Sequence, residues 1–232
     1  MHFISVIIIG QVALVHLHML QTKILKHDNR SISENNAYKY NRSEVFGHQL
    51  LDVVLHQGET FEPPQHHQSL FILPIVGSVE VVLFNGMSKI IDPETIIRTN
   101  GIMTIKNSRH ETSIHFLIMD GPKVEGPNLA LSKIDLPLTR KNELVSGKLG
   151  SITFSLGVFD SRKEWNEIFD NARDVIFHLV NGAFDIEGCL VEFKDTLCLA
   201  GKKQIEFEAL SENAILLMIH QKSNKHGKIH LH

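Results

Sequence analysis

The stretch FILPIVGSVEV at residues 71–81 can be laid on IFHLVNGAFDI at residues 176–186 with Gly77 over Gly182. Farther along, IHFLIM at 114–119 falls near ILLMIH at 215–220, so the two matches are offset by 105 and 101 residues. A near-constant offset across two separate segments is what a duplicated unit produces, whereas chance likeness among Ile-, Val- and Leu-rich runs would not hold a register. Each run is short and closed by Gly, Pro, Asn or Asp, which reads as antiparallel strand followed by turn. Duplication and strand pattern together predict an all-β chain of two tandem, jelly-roll-like antiparallel barrels, each of the size at which a sheet closes and removes its own edges.

Working outward, LLDVVLH, SLFILPIVG, SVEVVLF, GIMTI and IHFLIM form a first series. GPKVEGP at 121–127 then places two Gly-Pro breakers close together and reads as the linker. GSITFSLGVF, DVIFHLV, GAFDIEGCLVEF, TLCLA, QIEFEAL and AILLMIH form the second series. The expected units are a barrel over 19–122, a second over 128–222 and a polar tail at 223–232. One or two short helices are expected. Ser161 and Glu164 make a capping-box pattern with Trp165, Ile168 and Phe169 on one face behind it, which reads as a helical lid. Residues 29–43 are polar and weakly patterned and read as loop, with one helical turn at most.

With 43% hydrophobic and 21% charged residues in 232, the composition is that of a globular protein long enough to bury a core. A net charge of -3 and the lack of a Lys/Arg stripe interleaved with aromatics argue against direct nucleic-acid binding. Cys189 and Cys198 fit neither a CxxC nor a zinc-ribbon spacing and read as free thiols, which points to a reducing, cytoplasmic setting. Phe3 to Leu17 is largely apolar but too short to span a bilayer. It also lacks the positive n-region and small cleavage-site residues of an export signal. Residues 1–18 are therefore read as an extension, without membrane insertion or export, and Met19 competes with Met1 as the start. No GxGxxG after a strand, P-loop, GxSxG elbow or HExxH is present.

LFILPIVGSVEV at 70–81 resembles the strand-turn-strand in the first barrel of bacterial pirin-like proteins, and residues 182–220, from GAFDIEGCLVEF to AILLMIH, resemble their second barrel closely. With weaker similarity in QTKILKHDNRS and VFGHQLLDVVLHQG, the likeness covers the chain from about Met19 onward. The resemblance implies a bicupin. It also implies a site in the N-terminal barrel where the family holds one iron-like metal through three His and one Glu, and some members are quercetin 2,3-dioxygenases. Imidazoles and a carboxylate leave open positions on a redox-active metal, where a chelating substrate and dioxygen can meet in a dry barrel.

Carried over residue by residue, that ligand set is incomplete. The first family pair is His-x-His soon after Pro-Pro. Here Pro63-Pro64 leads into Gln65-His66-His67, so Gln65 takes the first ligand position and His67 the second. The second pair is His-x-Glu and here reads His110-Glu111-Thr112, with Thr112 in the carboxylate position. His67 and His110 are the matched metal ligands. His66 and Glu111 would face away by strand parity unless a bulge turned them inward. Gln65 and Thr112 make poor transition-metal donors but can hydrogen-bond a ligand. The expected cofactor is thus none, or one divalent iron-like metal. The expected function is a pirin-like bicupin with a degenerate metal site that binds a small ligand or a protein partner without catalysis. The alternative is a metal-dependent quercetin 2,3-dioxygenase-like oxygenase. In the second half, His178 reads as a packed core residue, His220 ends a strand, and His226, His230 and His232 lie in the tail. Glu206 and Glu208 alternate on a solvated strand.

Overall fold

The computed structural model describes residues 22–64, 69–99, 101–108, 112–122 and 131–223. Apart from one 3-10 turn at His27–Asn29, all the regular structure among them is strand. In chain order these are β1 Thr22–Leu25, β2 Ser31–Glu34, β3 Tyr38–Val45, β4 His48–Leu55, β5 Thr60–Phe61, β6 Leu70–Val76, β7 Val79–Leu83, β8 Ser88–Ile91, β9 Thr95–Thr99, β10 Ile102–Lys106 and β11 Ile114–Asp120. The second series is β12 Ser132–Asp135, β13 Glu143–Leu149, β14 Ile152–Phe159, β15 Glu164–Asn181, β16 Ala183–Ile186, β17 Cys189–Glu192, β18 Thr196–Ala209 and β19 Ala214–Lys222.

The first half folds into a seven-stranded sheet ordered β12-β9-β6-β11-β4-β3-β2 and a facing four-stranded sheet ordered β5-β10-β7-β8. The second half is one eight-stranded sheet, β13-β14-β19-β15-β18-β16-β17, with β1 added beside β18. The sheets wrap their cores as open barrels. The continuous apolar runs belong to strands buried on both faces, which is why they do not alternate. In β4, Leu51, Val53 and Leu55 face the interior of the first half, while Leu50 and Asp52 face the second half. Likewise β19 points Leu216 and Met218 inward and Leu217 and Ile219 toward the first half. Three apolar layers result, one inside each half and one between them. The peripheral β8, by contrast, carries mostly exposed positions.

The duplication is visible atom by atom. Gly77 and Gly182 both have positive φ, at +73° and +77°. A Cβ on Gly77 would lie 2.6 Å from Ile114 Cγ2, and one on Gly182 would lie 2.9 Å from Ala214 Cβ, so each glycine clears the first residue of the same partner strand. Immediately before each glycine the pairing skips a residue, between His115 and Phe116 opposite β6 and between Leu179 and Asn181 opposite β19. These equivalences support the 105-residue offset for residues 71–81. They move the other match by one residue, because His115, opposite Val76, corresponds to Ile215, opposite Asn181. The offset there is 100, not 101. One residue matters in a strand, since a slip of one exchanges the inward and outward faces.

The predicted helical lid over 161–169 is not present. Those residues enter β15, an 18-residue strand whose Trp165 lies opposite Phe207 of β18. Trp165 and Phe169 are four apart, a spacing met equally by one helical turn and by two strand repeats. Burial settles it, because Trp165, Glu167 and Phe169 are more enclosed than their neighbours and Ile168 is 74% exposed. Residues 29–43 are also not a loop, since they hold β2 and most of β3. Their polarity misled because Asn41 and Ser43 are buried against the second half while Tyr38 and Tyr40 line the first interior.

Strands are exchanged between the halves. β1, from the start of the chain, pairs with β18, and β12, from after the linker, pairs with β9.

Candidate functional site

The segments that carry the proposed ligands connect β5 to β6 and β10 to β11. Gln65, His66, His67, His110 and Glu111 lie outside the described residues. Thr112 is described. It is exposed and lies between β10 and β11 outside any strand, so strand parity does not orient it. Its carbonyl accepts a hydrogen bond from Asn107 Nδ2 at 3.1 Å, and the same amide donates to the His56 carbonyl at 3.2 Å. Asn107 is 1% exposed, and its backbone N–H donates to the Glu59 carbonyl at 3.0 Å. This side chain stitches the base of the β10–β11 connection to the end of β4. Sequence reasoning missed it, and its only signal was an Asn directly after the IMTIK strand. The His56 ring adds a second tie to Ser113 Oγ at 3.1 Å.

Behind these connections the described interior is apolar. Phe61 packs edge-on against Tyr38, Tyr40 and Phe116 at centroid distances of 5.0, 5.8 and 6.1 Å. In the second half the corresponding chain runs unbroken through β15. Trp165, opposite Phe207, takes the place of Phe61, opposite Ile105, so the stretch beginning at Phe169 corresponds to the one beginning at Gln65. Phe159, Phe184 and Phe207 fill that interior in T-shaped contacts.

His178 and His220 are packed residues, while His226, His230 and His232 lie outside the described residues. His178 is buried on the face toward the first half with Nδ1 3.0 Å from Thr196 Oγ1, and burial pushes its pKa down to about 3, so it is neutral. His220 stacks on Phe169 at 4.9 Å, and burial with nearby Arg173 lowers it to about 4. Both cysteines are free, and burial pushes the Cys198 thiol up to about 12, out of the reactive range.

Among the described residues no group of three or more His, Cys, Asp or Glu is arranged to hold a metal. The family-implied set of Gln65, His67, His110 and Thr112 offers two imidazoles, an amide and a hydroxyl. With Thr112 turned to solvent, that set does not fit a three-His, one-Glu centre. A separate open cleft of about 730 Å³ lies in the second half between β15, β16 and β18. Its carboxylates include Glu206, which accepts from Asn166 and Gln204, and Glu187, held by Lys202 at 2.6 Å. The strand that carries Glu206 and Glu208 is not a sheet edge, because β15 and β16 flank it, but the cleft is open to solvent. No helix among the described residues is long and apolar enough to cross a membrane.

No protein-family model and no curated protein sequence matches the chain. Solved structures do. YhhW from Escherichia coli superposes with a TM-score of 0.73 at 14% identity, covering 88% of this chain and 99% of that one. The nickel(II) complex of the same bacterial pirin gives 0.71 at 14% identity, over 88% and 100%. Quercetin 2,3-dioxygenase from Acinetobacter baumannii gives 0.71 at 13% identity, over 90% and 81%. At such identities the likeness speaks to fold, and it covers both halves: the chain has the pirin-like cupin fold that its internal repeat and two resembling stretches predicted, with sheets that do not close into barrels.

Proposed function

We propose that the chain is a bicupin whose first-half site has given up the metal centre and binds a small ligand or a protein partner without catalysis. The observation that carries this is Thr112. It stands where a carboxylate would be needed, bears a neutral hydroxyl, and sits exposed on the connection that Asn107 ties down. Loss of the carboxylate removes the only anionic donor, and Gln65 in place of a histidine removes a further strong one. The Gln65 amide and the Thr112 hydroxyl retain donors and acceptors suited to a polar ligand.

Metal analysis of freshly purified full-length protein tests the reading. Iron, nickel, copper and manganese are expected well below one per chain, unchanged by His67→Ala, with no oxygen uptake on quercetin. One metal per chain that His67→Ala removes, together with quercetin-dependent oxygen consumption, would overturn it in favour of the oxygenase.

A further inference from the structure

The layer between the halves is polar at one corner. Asp52 on β4 is 2% exposed and accepts a hydrogen bond from His115 Nε2 at 2.5 Å, with Lys194 Nζ at 3.9 Å. Arg30, 8% exposed, spends Nη2 on the carbonyls of Leu25 and Lys194 and on Thr196 Oγ1 at 2.7 Å, and that hydroxyl also meets His178. Asn41 lies directly opposite Asp52 across β3 and β4, and its Nδ2 meets His27 Nδ1 at 3.0 Å. Five buried atoms of this corner have no hydrogen-bond partner in the protein: Arg30 Nε and Nη1, Asn41 Oδ1, Ser43 Oγ and Asp52 Oδ2.

The duplication supplies a control. By the strand registers, Asp52, Asn41 and His115 correspond to Leu156, Val145 and Ile215, and His178 and Thr196 correspond to Leu73 and Ile96. All five counterparts belong to the apolar layer between the halves. The fold therefore accepts hydrocarbon at these positions, and polarity at one corner is not imposed by the backbone.

We propose that this corner is an internal hydration site, in which water bridges Arg30 Nε and Nη1 to Asn41 Oδ1 and Asp52 Oδ2. The unpartnered groups include both donors and acceptors, and water is small, neutral and able to serve both. An anion would meet Asp52 and the Asn41 carbonyl, a cation would meet Arg30 and Lys194, and an apolar molecule would strand all five groups.

A crystal structure of the full chain at a resolution that shows ordered solvent tests this. Density is expected within hydrogen-bond distance of Arg30 and of Asp52 or Asn41, without anomalous signal after a bromide soak. A direct Arg30–Asp52 pair with no density between, or bromide in the corner, overturns the proposal. In solution, water-oxygen magnetic relaxation dispersion should show a long-lived component that is lost when Arg30→Met, Asn41→Val, Asp52→Leu, His115→Ile and His178→Leu are combined. An unchanged component overturns it as well. Should the combined variant fail to fold, Asn41→Val alone is expected to reduce the component, and the wild-type crystal still decides.

Discussion

The two corners of the layer between the halves occupy equivalent places in a repeated fold yet are built from opposite materials. One packs Leu73, Ile96, Val145, Leu156 and Ile215. The other sets His178, Thr196, Asn41, Asp52 and His115 at the same registers. The polarity extends to the edges. Glu94 and Lys194 both hold φ near +65°, at +65° and +66°, but the Glu94 carbonyl accepts the backbone N–H of Leu136 while that of Lys194 accepts the Arg30 guanidinium. Duplication thus fixes backbone and register but leaves side-chain chemistry free, so that the same scaffold carries a dry contact and an ionic one. Burial alone disfavours a charged Asp52, but the hydrogen bond from His115 and the charge of Lys194 outweigh it and hold the carboxyl well below the usual range.

The largest effect is expected from carrying a charge into the dry corner. Leu156→Asp should lower unfolding stability by about 3–5 kcal/mol, because nothing there pairs with it. A urea midpoint close to wild type would show that the corners are not equivalent environments. Removing the charge from the ionic corner comes next. Asp52→Leu alone leaves His115, Arg30 and Lys194 without their carboxylate and should cost about 3 kcal/mol. Combining it with Arg30→Met, Asn41→Val, His115→Ile and His178→Leu should restore or exceed wild-type stability, and a combined variant as weak as the single one would contradict the reading.

The pH response sharpens the same contrast. His178 binds a proton in the unfolded chain near pH 6.5 but in the folded chain only near pH 3. Between those values the unfolded state takes up more protons, so stability falls as pH falls. From pH 7 to 5 this amounts to about 2 kcal/mol. His178→Leu, which copies Leu73, should flatten the profile by that amount in denaturant titrations at the two pH values, and an unchanged slope would place the titration elsewhere. The smallest effect is expected where the halves agree. Gly77→Ala and Gly182→Ala should each cost about 1 kcal/mol or somewhat more, since both leave a non-glycine residue at positive φ against a partner strand. Thermal unfolding that separates them widely would mean that the two turns are not equivalent.

Much of the fold was legible because strands buried on both faces write long apolar runs, and FILPIV and IFHLV carry both the pattern and the repeat. What was not legible has specific causes. Trp165 and Phe169 satisfy helix and strand periodicity together, and only pairing with β18 decides between them. Asn41 and Ser43 read as loop because polar side chains signal exposure, whereas both are buried in the contact between the halves. The 101-residue offset was wrong by one because two strands of similar apolar residues can be slid without penalty until a partner fixes them. For the site, Thr112 at the carboxylate position is what the family resemblance implies, whereas Asn107 was not legible, since its role depends on carbonyls of Thr112 and His56 brought together by the fold.

The exchange of β1 into the second sheet also sets a clock on biosynthesis. Thr22 lies opposite Leu199, so the first described strand to leave the ribosome has its partner among the last. At ordinary rates of translation that partner arrives roughly 10–30 s later. Throughout that interval a strand that carries Lys23 and is flanked by Lys26 waits unpaired on this side, and charge on an open edge is what discourages pairing with a stranger. When β18 arrives, Lys26 finds Asp195 at 2.7 Å, and the charge that guarded the waiting strand becomes its clasp.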